Sequence, residues 1–427
     1  MANLYVELVE FDFIMEGKYF LKNKSIQEYI DAQQLSTENV LKIEFFEATR
    51  PPRHSAVLEQ DDWISAIKIG SEFVLTGSYD GMGRIWTKTG DCVASMPCFS
   101  STENAGSSFV KSVNWISSKS TCLLAGHSQS IFAYGIKSNQ SGVECELDFE
   151  CVGHSGTVEA LALNKSETLL ASGSWDQTVS IWTTSNDDET VTVAEDDAAP
   201  KKKSKHAKTS SRHATQKRIK SAKTALHGHS GAVKCLTFDE GSQQSRLFSG
   251  GMDHSIRQWD LERESSVHML DGDASVQTMA WNERQGLLAT GHSDRKIRLW
   301  DMRLNTSYKK YGVCGFAQST SQEDAVSNNG STAASTQWVS SIVWSPDNEY
   351  QFATAGYSSQ GIHIWDIRGI TAIQSNMQSK SNYNALVKTL RPANSDVEVS
   401  NKIFALDWAN GLLISVGEDC KMQIYNS

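Results

Sequence analysis

The chain holds only 6 prolines in 427 residues, against 12 tryptophans. Tryptophan at twice the count of proline points to an indole with a repeated structural place. No apolar run approaches the 18 or more residues that a membrane helix needs, and none is therefore expected. The first residues, MANLYVELVEFDF, carry acids where a secretory leader would be basic and then apolar, so a chain that is not exported is expected. There is no Cys-x-x-Cys pair among the 8 cysteines, which argues for reduced thiols in a cytosolic or nuclear setting, not a disulfide framework or a zinc site. Also missing are a glycine-rich phosphate loop, a His-Glu-x-x-His pair and any lone polar cluster, so an enzyme is the least supported class and no cofactor is expected. The apolar share is 39%, with 29 glycines besides, which is normal for a globular chain and excludes wholesale disorder.

What is present is a repeat. Seven segments share one pattern: an apolar strand, a short turn, a strand ending in small residues, an Asp turn, and a strand closing in an aromatic. Examples are GHSGTVEALALNKSETLLASGSWDQTVSIW and ASVQTMAWNERQGLLATGHSDRKIRLWD. The closing aromatics are Trp86, Tyr134, Trp182, Trp259, Trp300, Trp365 and Tyr425. Their spacing gives a unit of about 40–45 residues, lengthened by insertions after the third, fifth and sixth units. Alternation at period two, bounded by Gly, Ser, Asn and Asp, predicts strands throughout.

These units resemble WD40 repeats, and seven of them imply a mainly β fold, a seven-bladed propeller over residues 61–427. The resemblance implies a hydrogen-bonded relay in each complete unit. Two units carry all four members: His154, Ser172, Asp176 and Trp182, then His229, Ser249, Asp253 and Trp259. Blade five lacks an entrance His, and blade two has Gln129 where the Asp is expected and Tyr134 for Trp. A His–Ser–Asp set also suggests a nucleophilic triad, but a set that recurs beside an indole is structural, since a catalytic triad normally occurs once. The last unit ends at its third strand, so residues 53–59 are expected to add the fourth and close the ring, within a linker of 49–60.

Charge is unevenly placed. The net charge is −10, but the insertion 185–224 carries six acids followed by ten Lys or Arg; without it the remainder has 30 basic and 44 acidic residues, a net −14. The insertion is expected to be disordered alone. Its basic half, including Lys201, Lys202, Lys203, Lys205, Lys208, Arg212, Lys217, Arg218 and Lys220, reads as a nuclear-import signal, an RNA-contacting arm, or a solvated loop. The stretches 315–336 and 370–400 read as Ser/Asn-rich loops. Trp63, Trp115, Trp281, Trp344 and Trp408 read as core, on first strands; Trp175, in a turn, is the exposed aromatic expected to contact a partner. The acidic remainder argues that protein contacts dominate, with any rRNA contact local.

Residues 1–48 are not a propeller unit. FDFIMEG and LSTENVLKIEF frame a strand, turn, short strand, brief helix and strand, which resembles the C-terminal half of a ubiquitin-like β-grasp domain without its main helix. Either the chain is truncated or this half docks on something else. Followed by RPP, DDWISAI, SYDGMGRIW and the acidic-then-basic insertion, this order is similar to the Ytm family, the WD-repeat ribosome-biogenesis factors of the PeBoW complex.

That resemblance implies a non-enzymatic scaffold in large (60S) subunit maturation and pre-rRNA processing, in the nucleus, nucleolus and nucleoplasm. Its implied partners are a Bop-type WD protein, a pescadillo homologue, the pre-60S particle and the AAA ATPase midasin, with no membrane. It further implies that Glu38 lends a carboxylate to the metal-ion site of midasin, which then removes the factor. The alternative is a substrate receptor of a cullin–RING ubiquitin ligase, cued by the Trp-Asp-x-Arg endings at Arg303 and Arg368.

Overall fold

The computed structural model describes residues 11–15, 18–20, 25–33, 40–47, 51–99, 108–139, 142–185, 191–193, 217–239, 246–302, 309–315, 338–356, 361–368, 386–390 and 402–426. Seven sheets of at least four antiparallel strands follow one another, and each innermost strand packs beside that of the next sheet, the last against the first: a seven-bladed β-propeller. Blade one is Ile64–Ile69, Phe73–Ser78, Met82–Thr87 and Cys92–Pro97, from the centre outward. The innermost strands of blades two to seven are Val110–Ile116, Val158–Leu163, Val233–Asp239, Val276–Asn282, Val339–Trp344 and Ile403–Ala409.

The core is split into seven apolar wedges, one between each pair of neighbouring blades. Sheet alternation causes this, because each strand sends successive side chains to opposite faces, and each face meets a different neighbour. Tight approach needs glycine on the second strands. A Cβ at Gly173 would stand 2.6 Å from Val233, and one at Gly250 2.6 Å from Val276.

The ring closes through Arg53–Glu59, which pairs antiparallel with Lys421–Asn426 as the outer strand of blade seven. Ala56 and Leu58 pack on the wedge shared by blades seven and one, beside Trp86, Val416 and Met422. Across the seam, the Asp407 carboxylate takes Lys68 Nζ at 2.9 Å and the Ile69 amide at 2.6 Å.

Two stretches that read as loops carry strands. Within 370–400, Leu386–Leu390 is the outer strand of blade six, with Leu390 buried. Within 185–224, Val191–Val193 and Lys217–Lys220 pair antiparallel, and Lys217–Lys220 runs parallel to the outer strand of blade two, Gly142–Cys151. The insertion of blade three thereby extends the sheet of blade two to six strands. In both an exposed strand edge is covered: Leu386–Leu390 pairs the third strand of blade six, and Lys217–Lys220 pairs the outer strand of blade two, because unpaired backbone groups at an edge accept a short added strand.

The N-terminal residues form a three-stranded antiparallel sheet in the order Lys18–Phe20, Phe11–Met15, Ile43–Glu47, with a helix at Ile26–Gln33. Phe13 lies opposite Phe45, and the rings of Phe11 and Phe45 meet edge to face at 5.7 Å.

Candidate functional site

The relay residues come together in both complete blades. His154 Nδ1 lies 2.8 Å from Asp176 Oδ2, its Nε2 lies 2.7 Å from Ser172 Oγ, and Trp182 Nε1 donates to that hydroxyl at 2.8 Å. In blade four the corresponding distances are 2.8, 2.6 and 2.7 Å for His229–Asp253, His229–Ser249 and Trp259–Ser249. Burial would raise the Asp176 and Asp253 carboxyls, but the histidines and the Thr178 or Ser255 groups outweigh it and hold both below their usual range. Ser172 and Ser249 are fully buried, so neither hydroxyl faces a substrate.

Incomplete units find substitutes. In blade five His292, from the second strand itself, places Nε2 2.9 Å from Thr290 Oγ1, which also accepts Trp300 Nε1 at 2.9 Å. In blade one Gln60 donates to Ser78 Oγ at 2.5 Å, and Trp86 Nε1 donates to Thr76 at 3.0 Å. Blade two corrects the sequence alignment. Gln129 occupies the left-handed place (φ 64°) that Gln177, His254 and Arg295 fill elsewhere, so Ser128 stands where the turn Asp would be. The Asp matters because its Oδ1 accepts the amide two residues on, as Asp176 does from Thr178 at 3.0 Å.

Antiparallel order puts the turns after the second strands and the starts of the innermost strands on one rim of the ring. There the aromatics gather. Trp63, expected in the core, precedes its strand and is 42% exposed. Its ring lies 5.7 Å from Tyr79 and 6.2 Å from Phe404, Tyr79 lies 5.7 Å from Phe109, and Phe109 lies 4.9 Å from His127. Lys111 donates to Tyr79 Oη at 2.6 Å, and its ammonium sits over the Tyr79 and Phe109 rings. Next along the rim, Trp175 is 51% exposed, and its Nε1 donates to Glu159 at 2.6 Å while Lys234 pairs with the same carboxylate at 2.8 Å. Burial would lift the Glu159 carboxyl, but Lys234 and the Trp175 indole hold it below its usual range. The result is a band of fixed aromatic rings and cations across blades seven, one, two, three and four. Fixed amphipathic rings of this kind lose little entropy when covered, which suits them to contact with protein surfaces. Trp115, Trp281 and Trp344 are partly buried and Trp408 is buried.

Other candidates sit elsewhere. Lys220 is buried: its ammonium donates to the Thr183 and Ser185 carbonyls at 3.1 and 2.6 Å and lies 4.2 Å from the Phe149 ring centre. Arg218 pairs with Asp148. Lys220 is therefore a structural cation and not a free contact for RNA or an import receptor. Lys217 belongs to the same short strand. Lys201, Lys202, Lys203, Lys205, Lys208 and Arg212 lie outside the described residues, as do Glu38 and Arg303. The Arg368 guanidinium is held by both oxygens of buried Asp366, at 2.9 and 2.5 Å, and covers the Tyr350 ring at 4.7 Å. Among the described residues no group of three or more His, Cys, Asp or Glu is placed to hold a metal ion, and no helix is long and apolar enough to cross a membrane.

A family model described as "WD domain, G-beta repeat" matches residues 145–183, 220–260, 264–301 and 328–366. The chain is 28% identical over 430 residues to the ribosome biogenesis protein ytm1 of Schizosaccharomyces pombe, covering 98% of this chain and 86% of that protein. Along nearly its whole length the chain resembles the Ytm family of WD-repeat ribosome-biogenesis proteins. Other Ytm-family relatives lie far apart: a ribosome biogenesis protein WDR12 homolog of Nematostella vectensis is 29% identical over 84% of the chain and 78% of its own length. One of Chlamydomonas reinhardtii is 27% identical over 98% and 87%. The matched WD repeats are staggered against the blades, since 264–301 joins the outer strand of blade four to the three inner strands of blade five. These relatives are ribosome-biogenesis proteins, which supports a role in ribosome biogenesis for this chain.

Proposed function

We propose that the protein is a non-enzymatic scaffold in large-subunit maturation, acting in pre-rRNA processing within a PeBoW-type complex in the nucleolus and nucleoplasm. The observation that carries this reading is similarity to ribosome-biogenesis proteins along 98% of the chain, joined to a rim of exposed rings. Its partners on this reading are a Bop-type WD protein, a pescadillo homologue and the pre-60S particle. A protein partner seats on the aromatic band around Trp63, Tyr79 and Trp175, because seven rigid wedges leave the ring itself unchanged on binding. The N-terminal module, read as ubiquitin-like, is the handle for midasin, and Glu38 supplies an oxygen to that ATPase's metal ion.

Affinity purification from the native source, with mass spectrometry and sequencing of bound RNA, tests the reading. The expected companions are pre-60S proteins and precursor rRNA. In a Trp63→Ser/Trp175→Ala double variant with an unchanged melting temperature, the direct protein partner is expected to be lost. Recovery of cullin–RING adaptor subunits in place of pre-60S components would reject it.

A further inference from the structure

On the rim opposite the aromatic band, where first strands turn into second strands, a cavity of about 240 Å³ opens between blades one and two. Its lining is Trp115, Phe73 and Ile136, with Gly70, Ser71, Glu72, Ser117 and Ser120 around them. It is independent of the band and of the function proposed above.

The walls are fixed from several sides. Gly70 closes its turn by donating to the Phe73 carbonyl at 2.8 Å, and Asn410 of blade seven donates to the Gly70 carbonyl at 2.9 Å. A Cβ at Gly70 would stand 3.0 Å from the Phe73 carbonyl oxygen and 3.2 Å from Trp115 Nε1, so the turn lies tightly against the indole. Trp115 Nε1 donates to the Lys68 carbonyl at 3.1 Å, which orients the ring. On the far side Glu167 of blade three accepts the Ser117 and Ser118 amides at 3.1 and 2.8 Å, and Ser120 takes a left-handed backbone (φ 48°). A slot held by blades seven, one, two and three is preorganised.

Its chemistry selects one kind of guest. No Lys or Arg lines the slot, whereas Glu72 is exposed and makes no ion pair among the described residues. An anion is therefore disfavoured and a cation favoured. The indole favours a flat cation, and the serines offer hydroxyl acceptors to a donor with several N–H groups. The volume suits about one large side chain. Guanidinium meets all of these, being planar, multiply donating and weakly hydrated, whereas ammonium is a compact, strongly hydrated charge. We propose that this slot receives a single arginine side chain from a partner protein, stacked against Trp115 and paired with Glu72.

The test uses the full chain labelled with 5-fluorotryptophan, its Trp115 resonance assigned through Trp115→Phe. The probe is the peptide acetyl-Gly-Ser-Arg-Ser-Gly-amide. It is expected to shift the Trp115 resonance saturably, with the alanine analogue silent and the lysine analogue weaker. Glu72→Gln, at an exposed position, is expected to weaken binding up to about fivefold, the scale of one surface ion pair. No shift at about 10 mM peptide, the guest's expected affinity range, overturns the proposal. So does an equal response to the alanine analogue, or unchanged affinity in Glu72→Gln. A Trp115 resonance that moves on deleting 201–216 with no peptide present would assign the slot to the chain's own basic arm and equally overturn it.

Discussion

At the scale of single residues, the relay rests on hydroxyls that serve two nitrogens. Ser249 is fully buried, takes the Trp259 indole N–H at 2.7 Å and meets His229 Nε2 at 2.6 Å. Burial lowers the His229 pKa while Asp253 opposes, so a neutral imidazole is favoured there. Ser249→Ala would strand an indole N–H and an imidazole nitrogen, and is expected to cost about 2–4 kcal/mol, the penalty for leaving one or two buried polar groups unpaired. Ser266→Ala, on an exposed strand position, is expected to change stability by under about 0.5 kcal/mol. Urea denaturation followed by tryptophan fluorescence checks the pair, and equal midpoints would show that the relay contributes nothing. The complete relays were legible because four side-chain types recur at fixed spacing. Trp63 was not, because its environment depends on strand register: Trp115, Trp281, Trp344 and Trp408 fall late in their innermost strands, whereas Trp63 precedes Ile64. Gln60 and His292 escaped because they reach the relay from positions that the repeat pattern does not mark.

At the scale of elements, the strands with the clearest alternation were read, and those with only a pairing duty were missed. Lys217–Lys220 and Leu386–Leu390 are short, sit inside polar insertions and exist because a neighbouring edge needs covering. The seam is the element on which the ring depends most. Leu58 packs in the wedge between blades seven and one, beside the ladder to Lys421–Asn426, whereas Glu59 lies at the surface facing Lys421 at 3.1 Å. Leu58→Asp puts a charge against Met422 and Trp86, and is expected to destabilise by about 2–3 kcal/mol through lost burial and desolvation. Glu59→Gln removes only an exposed ion pair and is expected to cost under about 1 kcal/mol. Guanidinium melts of both variants decide it. Equal stability would mean that the outer strand of blade seven does not hold the ring shut.

At the scale of the molecule, charge and rigidity divide the labour. The chain outside the insertion is net −14 and repels phosphate, so basic functions fall to the insertion. Yet its ten cations are not equivalent. Lys220 is committed to two carbonyls and an aromatic face, tying the extended sheet of blade two to the third strand of blade three. The six cations between 201 and 216 precede that anchor. Deleting 201–216 is therefore expected to lower nuclear accumulation of a fluorescently tagged chain while leaving the melting temperature of the purified protein within a degree or so. Lys220→Met is expected to do the reverse, lowering the melting temperature by several degrees through loss of charge-assisted hydrogen bonds worth about 1.5–3 kcal/mol, with import retained. Unchanged nuclear uptake in the deletion would remove import as the task of the arm, and its salt-dependent retention of rRNA would then be the property to measure. An unaltered melting temperature in Lys220→Met would instead dissolve the distinction between anchor and arm, leaving all ten cations available to one diffuse electrostatic role.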